Sequence, residues 1–175
     1  TLFVNISNDQ YRPDPQVAVA VIHQVSNPGD DFPVLLFLSA ESGRGLDEIW
    51  RLRLRGMTWS AILVHVGVDP AHLFAGMDRD PGPPYGKAWG YWRKHGARPA
   101  TPFQMVDADF VSLVKVRITS DRFGLNPTDV LKQHRSGRKV ETIAREKHQF
   151  RGGHAPGGPT GKASNPGQGK GGKRN

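Results

Sequence analysis

The residues best suited to chemistry are the histidines, because imidazole both ligates metals and moves protons near neutral pH. Seven are present: His23, His65, His72, His95, His134, His148 and His154. None stands in an HxH or HExxH spacing, and no carboxylate and histidine near His65 and His72 complete a ligand set, so no metal site is expected. Asp107 and Asp109 are the closest thing to an acid/base pair. Two positions apart, they point to opposite faces of a strand or lie roughly 200° apart on a helix, which suits them poorly to one reacting group. Asp109 is better read as a helix cap, as is Asp31. Gly157-Gly-Pro-Thr-Gly-Lys162 has the outline of a phosphate loop, but Pro156 occupies the required glycine position and Ala163 that of the Ser/Thr. No serine lies in a nucleophile-elbow context. These patterns support neither catalysis nor a cofactor.

What remains is binding chemistry. Gly82–Gly96 places Tyr85, Trp89, Tyr91 and Trp92 close together, with Lys87, Arg93 and Lys94 interleaved. Aromatic faces stack on bases or sugars, and flanking cations hold phosphates or acidic groups. The competing explanation is that Trp89 and Trp92 pin a glycine-rich loop onto the helices. A second candidate set is basic. Formal net charge is +8, yet residues 1–134 carry 14 basic and 14 acidic residues. The excess begins at Arg135, Arg138, Lys139, Arg145 and Lys147, opposed only by Glu141 and Glu146, and continues beyond Arg151 with Lys162, Lys170, Lys173, Arg174 and no acid. Arg138 and Lys139 with the four tail cations are the expected polyanion contacts.

The elements that must position these groups read as helices. Leu2–Ile6 is a short apolar stretch, a strand or an extended arm, ended by Tyr-Arg-Pro-Asp-Pro. Asp14-Pro15 starts a helix over Gln16–Val25. Asp31–Ser42 is apolar nearly all round, which marks either the central helix or a buried strand. Leu46–Gly56 puts Leu46, Ile49, Trp50 and Arg53 on one side, with Asp47 as cap and Gly56 as stop. Thr58 opens another helix closed by Gly67, and Asp69-Pro70 caps a last turn or two over Ala71–Met77.

This order recurs. Ile49, Gly56, Trp59 and Ile62 match Val130, Gly137, Val140 and Ile143 at an offset of 81, after a long apolar segment in each copy, and Asn126-Pro127-Thr128-Asp129 supplies the second start. From Gly152 onward the chain is Gly/Pro/Lys-rich, cannot bury apolar surface, and is expected to be disordered. The organisation is therefore an N-terminal arm and first helix over 1–30, unit 1 over 31–81, a connecting loop over 82–106, unit 2 over 107–151 and a tail over 152–175. The fold class is mainly α: a small helical domain of two helix–turn–helix-like repeat units with a disordered basic tail.

The pattern at Leu52–Val68, Leu-Arg-x-Arg-Gly-Met-Thr-Trp-x-x-Ile, resembles the first two helices of resolvase- and sigma-type helix–turn–helix domains, and Val130–Lys147 resembles it more loosely. In those domains a third helix reads base edges. Here Pro70–Met77 is short and apolar with His72 as its one plausible base contact, and the second copy ends near Phe150 without a third helix. GPPYGKAWGYW, with the paired units, is also similar to a group of small exported bacterial proteins carrying a GPPYGxAYGYW-like segment and a Gly/Pro-rich C-terminus. That resemblance implies export, to the periplasm or beyond, and no activity. A chain beginning at Thr1 suits a processed protein, and the longest apolar runs, Val17–Ile22 and Val34–Leu38, are too short to span a bilayer. The expectation is an exported, non-catalytic interaction protein contacting a protein partner or itself, with strand addition by Leu2–Ile6 as one route. The alternative is nucleic-acid or other polyanion binding, aided by the tail.

Overall fold

The structure, a computed structural model, describes residues 1–95 and 105–152. Its regular elements are α1 (Leu2–Tyr11), α2 (Pro15–Ile22), α3 (Pro28–Ser42), α4 (Leu46–Leu54), α5 (Trp59–His65), a 3₁₀ turn (Pro70–Phe74), α6 (Gly86–His95), α7 (Asp107–Phe123), α8 (Pro127–Arg135) and α9 (Val140–Gly152). The protein is mainly helical, with no strand among the described residues. No described helix is long and apolar enough to cross a membrane.

The first correction falls at the N-terminus. Leu2–Ile6 is neither strand nor arm but the start of α1, which buries Phe3, Val4, Ile6 and Ser7 against α3 and α7. Its β-branched residues favour a strand when read locally, but burial at helical spacing decides the conformation. Strand addition by this segment is therefore ruled out. The second correction is the connecting loop, since Gly86–His95 within it is helical.

Local signals explain most helix ends. The Asp14 carboxylate accepts the N–H groups of Gln16 (2.9 Å) and Val17 (3.1 Å) ahead of Pro15. Thr58 Oγ1 accepts Ala61 N–H at 3.2 Å, and Asp69 Oδ1 accepts Ala71 N–H at 2.8 Å. Asp31, Asp47 and Asp109 are not caps. Asn27, Gly45 and Val106 hold those positions, and the aspartates lie in the first turn, where their charge opposes the positive end of the helix dipole. Asn27-Pro28 thus starts α3 three residues early, and α2 stops at Ile22.

The apolar run Phe32–Leu38 is the centre of the molecule, each residue buried under α1, α4 and α7. Helix α7 is the second axis of the core and touches α1, α3, α5, α8, α9 and the 3₁₀ turn. The geometry around these two long helices recurs at an offset of 81. Gly43 (φ 71°) closes α3 and Gly124 (φ 66°) closes α7. Helices α4 and α8 are both nine residues long. Each ends in the same glycine turn: Gly56 N–H reaches Arg53 O at 2.9 Å and Met57 N–H reaches Leu52 O at 3.4 Å, while Gly137 reaches His134 O at 3.0 Å and Arg138 reaches Gln133 O at 3.2 Å. The third helices begin at Trp59 and Val140.

Candidate functional site

The candidate site lies on the outer side of α7, where α8 and α9 pack on it and the segment leading into α6 reaches the end of α8. Its first part is the aromatic segment. Asp80 Oδ1 accepts Gly82 N–H at 2.7 Å, and the Arg135 guanidinium donates to Pro81 O at 2.6 Å, so the end of α8 clamps the entry to α6. A side chain at Gly82 would collide with that guanidinium, and Gly82 also sits at φ 74°. The Tyr85 ring behind it is buried, 2% exposed. Burial and the nearby Asp109 charge push its phenol up to about 12, against the opposing pull of a hydrogen bond with Ser112 and the Arg135 charge.

Tyr85 is therefore no contact residue; it anchors α6. Ala88 is fully buried, while Trp89 and Tyr91 are half-buried against the core. Arg93 lies over the Trp89 ring at 4.8 Å. Lys87, Arg93 and Lys94 are exposed. The rings thus face inward and the cations outward, while the side chain of Trp92 lies outside what the structure describes.

The second part is a cleft of about 730 Å³ walled by Ala108, Val111, Ser112 and Lys115 of α7, His134 of α8, and Lys139 with the first turns of α9, closed by Asp30 of α3. At its base Lys115 is 5% exposed, and its Nζ donates to Asp30 Oδ1 and Glu141 Oε1 while sitting 5.1 Å from the Phe3 ring centre. Burial pushes the Glu141 carboxyl up, but its hydrogen bonds with Lys115 and backbone, and the Lys115 charge, outweigh this and leave it below the usual range. Lys139 and Arg145 stand exposed on the rim.

No known family model matches this sequence, and no curated protein or solved structure is significantly similar to it. The chemistry of the surface must therefore be read from its own residues.

Most cations of unit 1, Arg55 excepted, meet an acid, and more of those on α6, α8 and α9 do not. Arg44 pairs with Glu48 at 3.2 Å, Arg51 with Asp47 at 2.6 Å and Arg53 with Asp107 at 2.6 Å. Lys87, Arg93, Lys94, Lys132, Lys139, Arg145 and Lys147 form no ion pair among the described residues. Of the expected polyanion contacts, Lys139 lies on the cleft, whereas Arg138 is held by both Glu146 oxygens at 2.7 Å. Lys162, Lys170, Lys173 and Arg174 lie outside the described residues, as does the 157–162 glycine segment. The would-be reading helix of unit 1 is a 3₁₀ turn with Leu73 and Phe74 in the core, and His72 Nδ1 is engaged by Glu41. Among the described residues no group of three His, Asp or Glu is arranged to hold a metal.

Sequence reasoning missed Ser112, Lys115, His134, Thr142 and Arg145 as cleft residues. One signal was present: Lys115 interrupts Leu113-Val114-Lys115-Val116, and a charge inside an apolar helical run needs a partner.

Proposed function

We propose that this chain is a non-catalytic binding protein whose helical body presents a basic face, formed by α6, α8 and α9, to the phosphate backbone of a nucleic acid. The observation that carries this is the uneven pairing of charge: in unit 1 Arg44, Arg51 and Arg53 each meet an acid and Arg55 does not, while Lys87, Arg93, Lys94, Lys132, Lys139, Arg145 and Lys147 on or beside α6, α8 and α9 form no ion pair among the described residues. The Arg135–Pro81 clamp brings the start of α6 against the end of α8, which supports one continuous face. On this reading the two units are copies of one helical unit, the first kept as scaffold and the second turned to binding. Contact is through phosphates and carries no base reading. Export, which rests on the family resemblance alone, belongs to the same proposal, as does added affinity from the basic tail.

DNA binding by the full chain across a salt series tests it. Neutralising Lys87 and Lys94 together by alanine should make the log–log salt slope shallower by about 2, at about 0.9 per phosphate contact. Arg44→Ala with Arg51→Ala, which removes paired cations, should leave it unchanged. An unaltered slope in the first variant would assign binding to the tail and return the body to protein contact, the class that the sequence first suggested.

A further inference from the structure

The cleft beside Lys115 is chemically distinct from the open face around it. At about 730 Å³ it falls in the range of small-ligand sites. Its lining mixes three cations, Lys139 and Arg145 at the rim and Lys115 at the base, with two carboxylates, the exposed Thr142 hydroxyl, and Ser112, whose hydroxyl already donates to Ala108 O at 2.9 Å. The two carboxylates in its wall, Asp30 and Glu141, both accept from Lys115, whose single charge offsets one of theirs, and with Lys139 and Arg145 the cleft as a whole stays cationic by one charge. Lys139 and Arg145 have no such partner among the described residues. His134 contributes a further donor or acceptor. Its Nδ1 lies 3.0 Å from Arg138 O, and because a carbonyl only accepts, Nδ1 carries the proton and Nε2 is the nitrogen left unengaged by that bond. Apolar Ala108, Val111 and Val140 complete the wall.

We infer that this cleft binds a terminal phosphate group, a phosphate monoester, between Lys139, Arg145 and the Thr142 hydroxyl. A backbone phosphodiester carries one charge and two free oxygens and must enter and leave along a strand. A monoester carries close to two charges and three acceptor oxygens, and it ends. A concave site with two rim cations and a hydroxyl between them suits the latter. The apolar wall suits the sugar or other body that carries the phosphate. Two sources share this chemistry, the phosphorylated end of a nucleic-acid strand and a free organic phosphate. The inference does not need the basic-face reading, since the cleft binds through its own rim.

The test is an amide-shift titration of the full chain with inorganic phosphate. Saturable shifts confined to Ser112, Lys139–Thr142 and Arg145 are expected. Losing one charge-assisted contact in Lys139→Ala should weaken binding about tenfold, and Arg145→Ala similarly. Both side chains are exposed, so neither change threatens the core. Thr142→Trp, which fills the mouth from an exposed position, should abolish the shifts without moving Tm. Lys87→Ala/Lys94→Ala should leave phosphate binding intact even where it weakens DNA binding, which separates failure of this inference from failure of the basic face. A 5′-phosphorylated oligonucleotide binding more tightly than its 5′-hydroxyl twin identifies a strand end as the source; equal binding identifies a free organic phosphate. Linear, unsaturated shifts spread over all exposed cations, or shifts unaffected by Lys139→Ala and Arg145→Ala, would overturn the inference.

Discussion

Unit 1 (α3–α5) and unit 2 (α7–α9) share their order of helices and glycine turns, and differ in how the third helix is held and what surrounds it. In unit 1 the N-terminus of α5 is capped from the other unit: Asp107 Oδ1 accepts Trp59 N–H at 2.9 Å, and its second oxygen pairs with Arg53, which lies over the Trp59 ring at 4.6 Å. Helix α5 stops after seven residues and runs through Gly67 toward the buried 3₁₀ turn. In unit 2 the N-terminus of α9 is tied from within, by Lys115 of α7 to Glu141, with Asp30 of unit 1 as the second partner. Helix α9 continues for 13 residues and is exposed from Arg145 to Phe150. The same local grammar therefore yields one unit sealed into the core and one left open at its surface. Arg44, Arg51 and Arg53 of the first meet acids, whereas Lys132, Lys139, Arg145 and Lys147 of the second form no ion pair among the described residues.

The difference should be largest in the core. Trp59 is fully buried and Val140, its counterpart, is 2% exposed. Trp59→Ala should cost about 3–5 kcal/mol, because the ring anchors α5 against α7 and holds the Arg53 stack. Val140→Ala removes far less volume and should cost about 1–2 kcal/mol. Urea denaturation measures both. Equal losses would mean that the two third helices are held alike after all.

Next is the Lys115 tie. Lys115→Met keeps volume but leaves Asp30 and Glu141 without their cation. Complete burial of such a break costs about 3–5 kcal/mol, and since these carboxylates remain about 40% exposed, about 2 kcal/mol is expected here. The loss should depend on pH. The folded Glu141 carboxyl lies below its ordinary value, so its contribution is complete above pH 4.5 and is lost as pH falls through the depressed value. In Lys115→Met burial and the Asp30 charge raise that carboxyl against its backbone hydrogen bond alone, so the variant should gain on acidification where the parent loses. The two stability curves should converge toward acid. Asp31 and Asp121, each raised chiefly by burial, act with the opposite sign but equally in both proteins. Parallel curves would show that Glu141 is not coupled to Lys115.

Much of this was legible in the sequence because it is local. The Asp14, Thr58 and Asp69 caps, the stops at Gly56 and Gly67 and the central apolar run Phe32–Leu38 each follow from neighbouring residues. What escaped depends on contacts far along the chain. Leu2–Ile6 becomes helical only because α3 and α7 receive its apolar face. Tyr85 turns inward only because Ser112 and Arg135 await it. Asp107 caps a helix 48 residues away. The cleft belongs to this second kind, assembled from α3, α7, α8 and α9, with the lone lysine of an apolar run as its single trace in the sequence.

The smallest effect bears on the likeness between the units. Gly56 and Gly137 sit at φ 84° and 97°. Nothing lies within 4 Å of where a Cβ would be added at either, so substitution meets backbone strain and no collision. Alanine at each should cost about 1 kcal/mol, the penalty of a left-handed conformation for a residue with Cβ. The two changes are remote and share no partner, so the double variant should lose the sum. Matched, additive losses would show that the turns are energetically equivalent and that the units diverge only beyond them, at the third helix. A cost near zero at Gly137 alone, by contrast, would place the divergence one element earlier. The turn leading to Lys139 would then relax in a way that its counterpart in unit 1, locked by Trp59 and Asp107, does not.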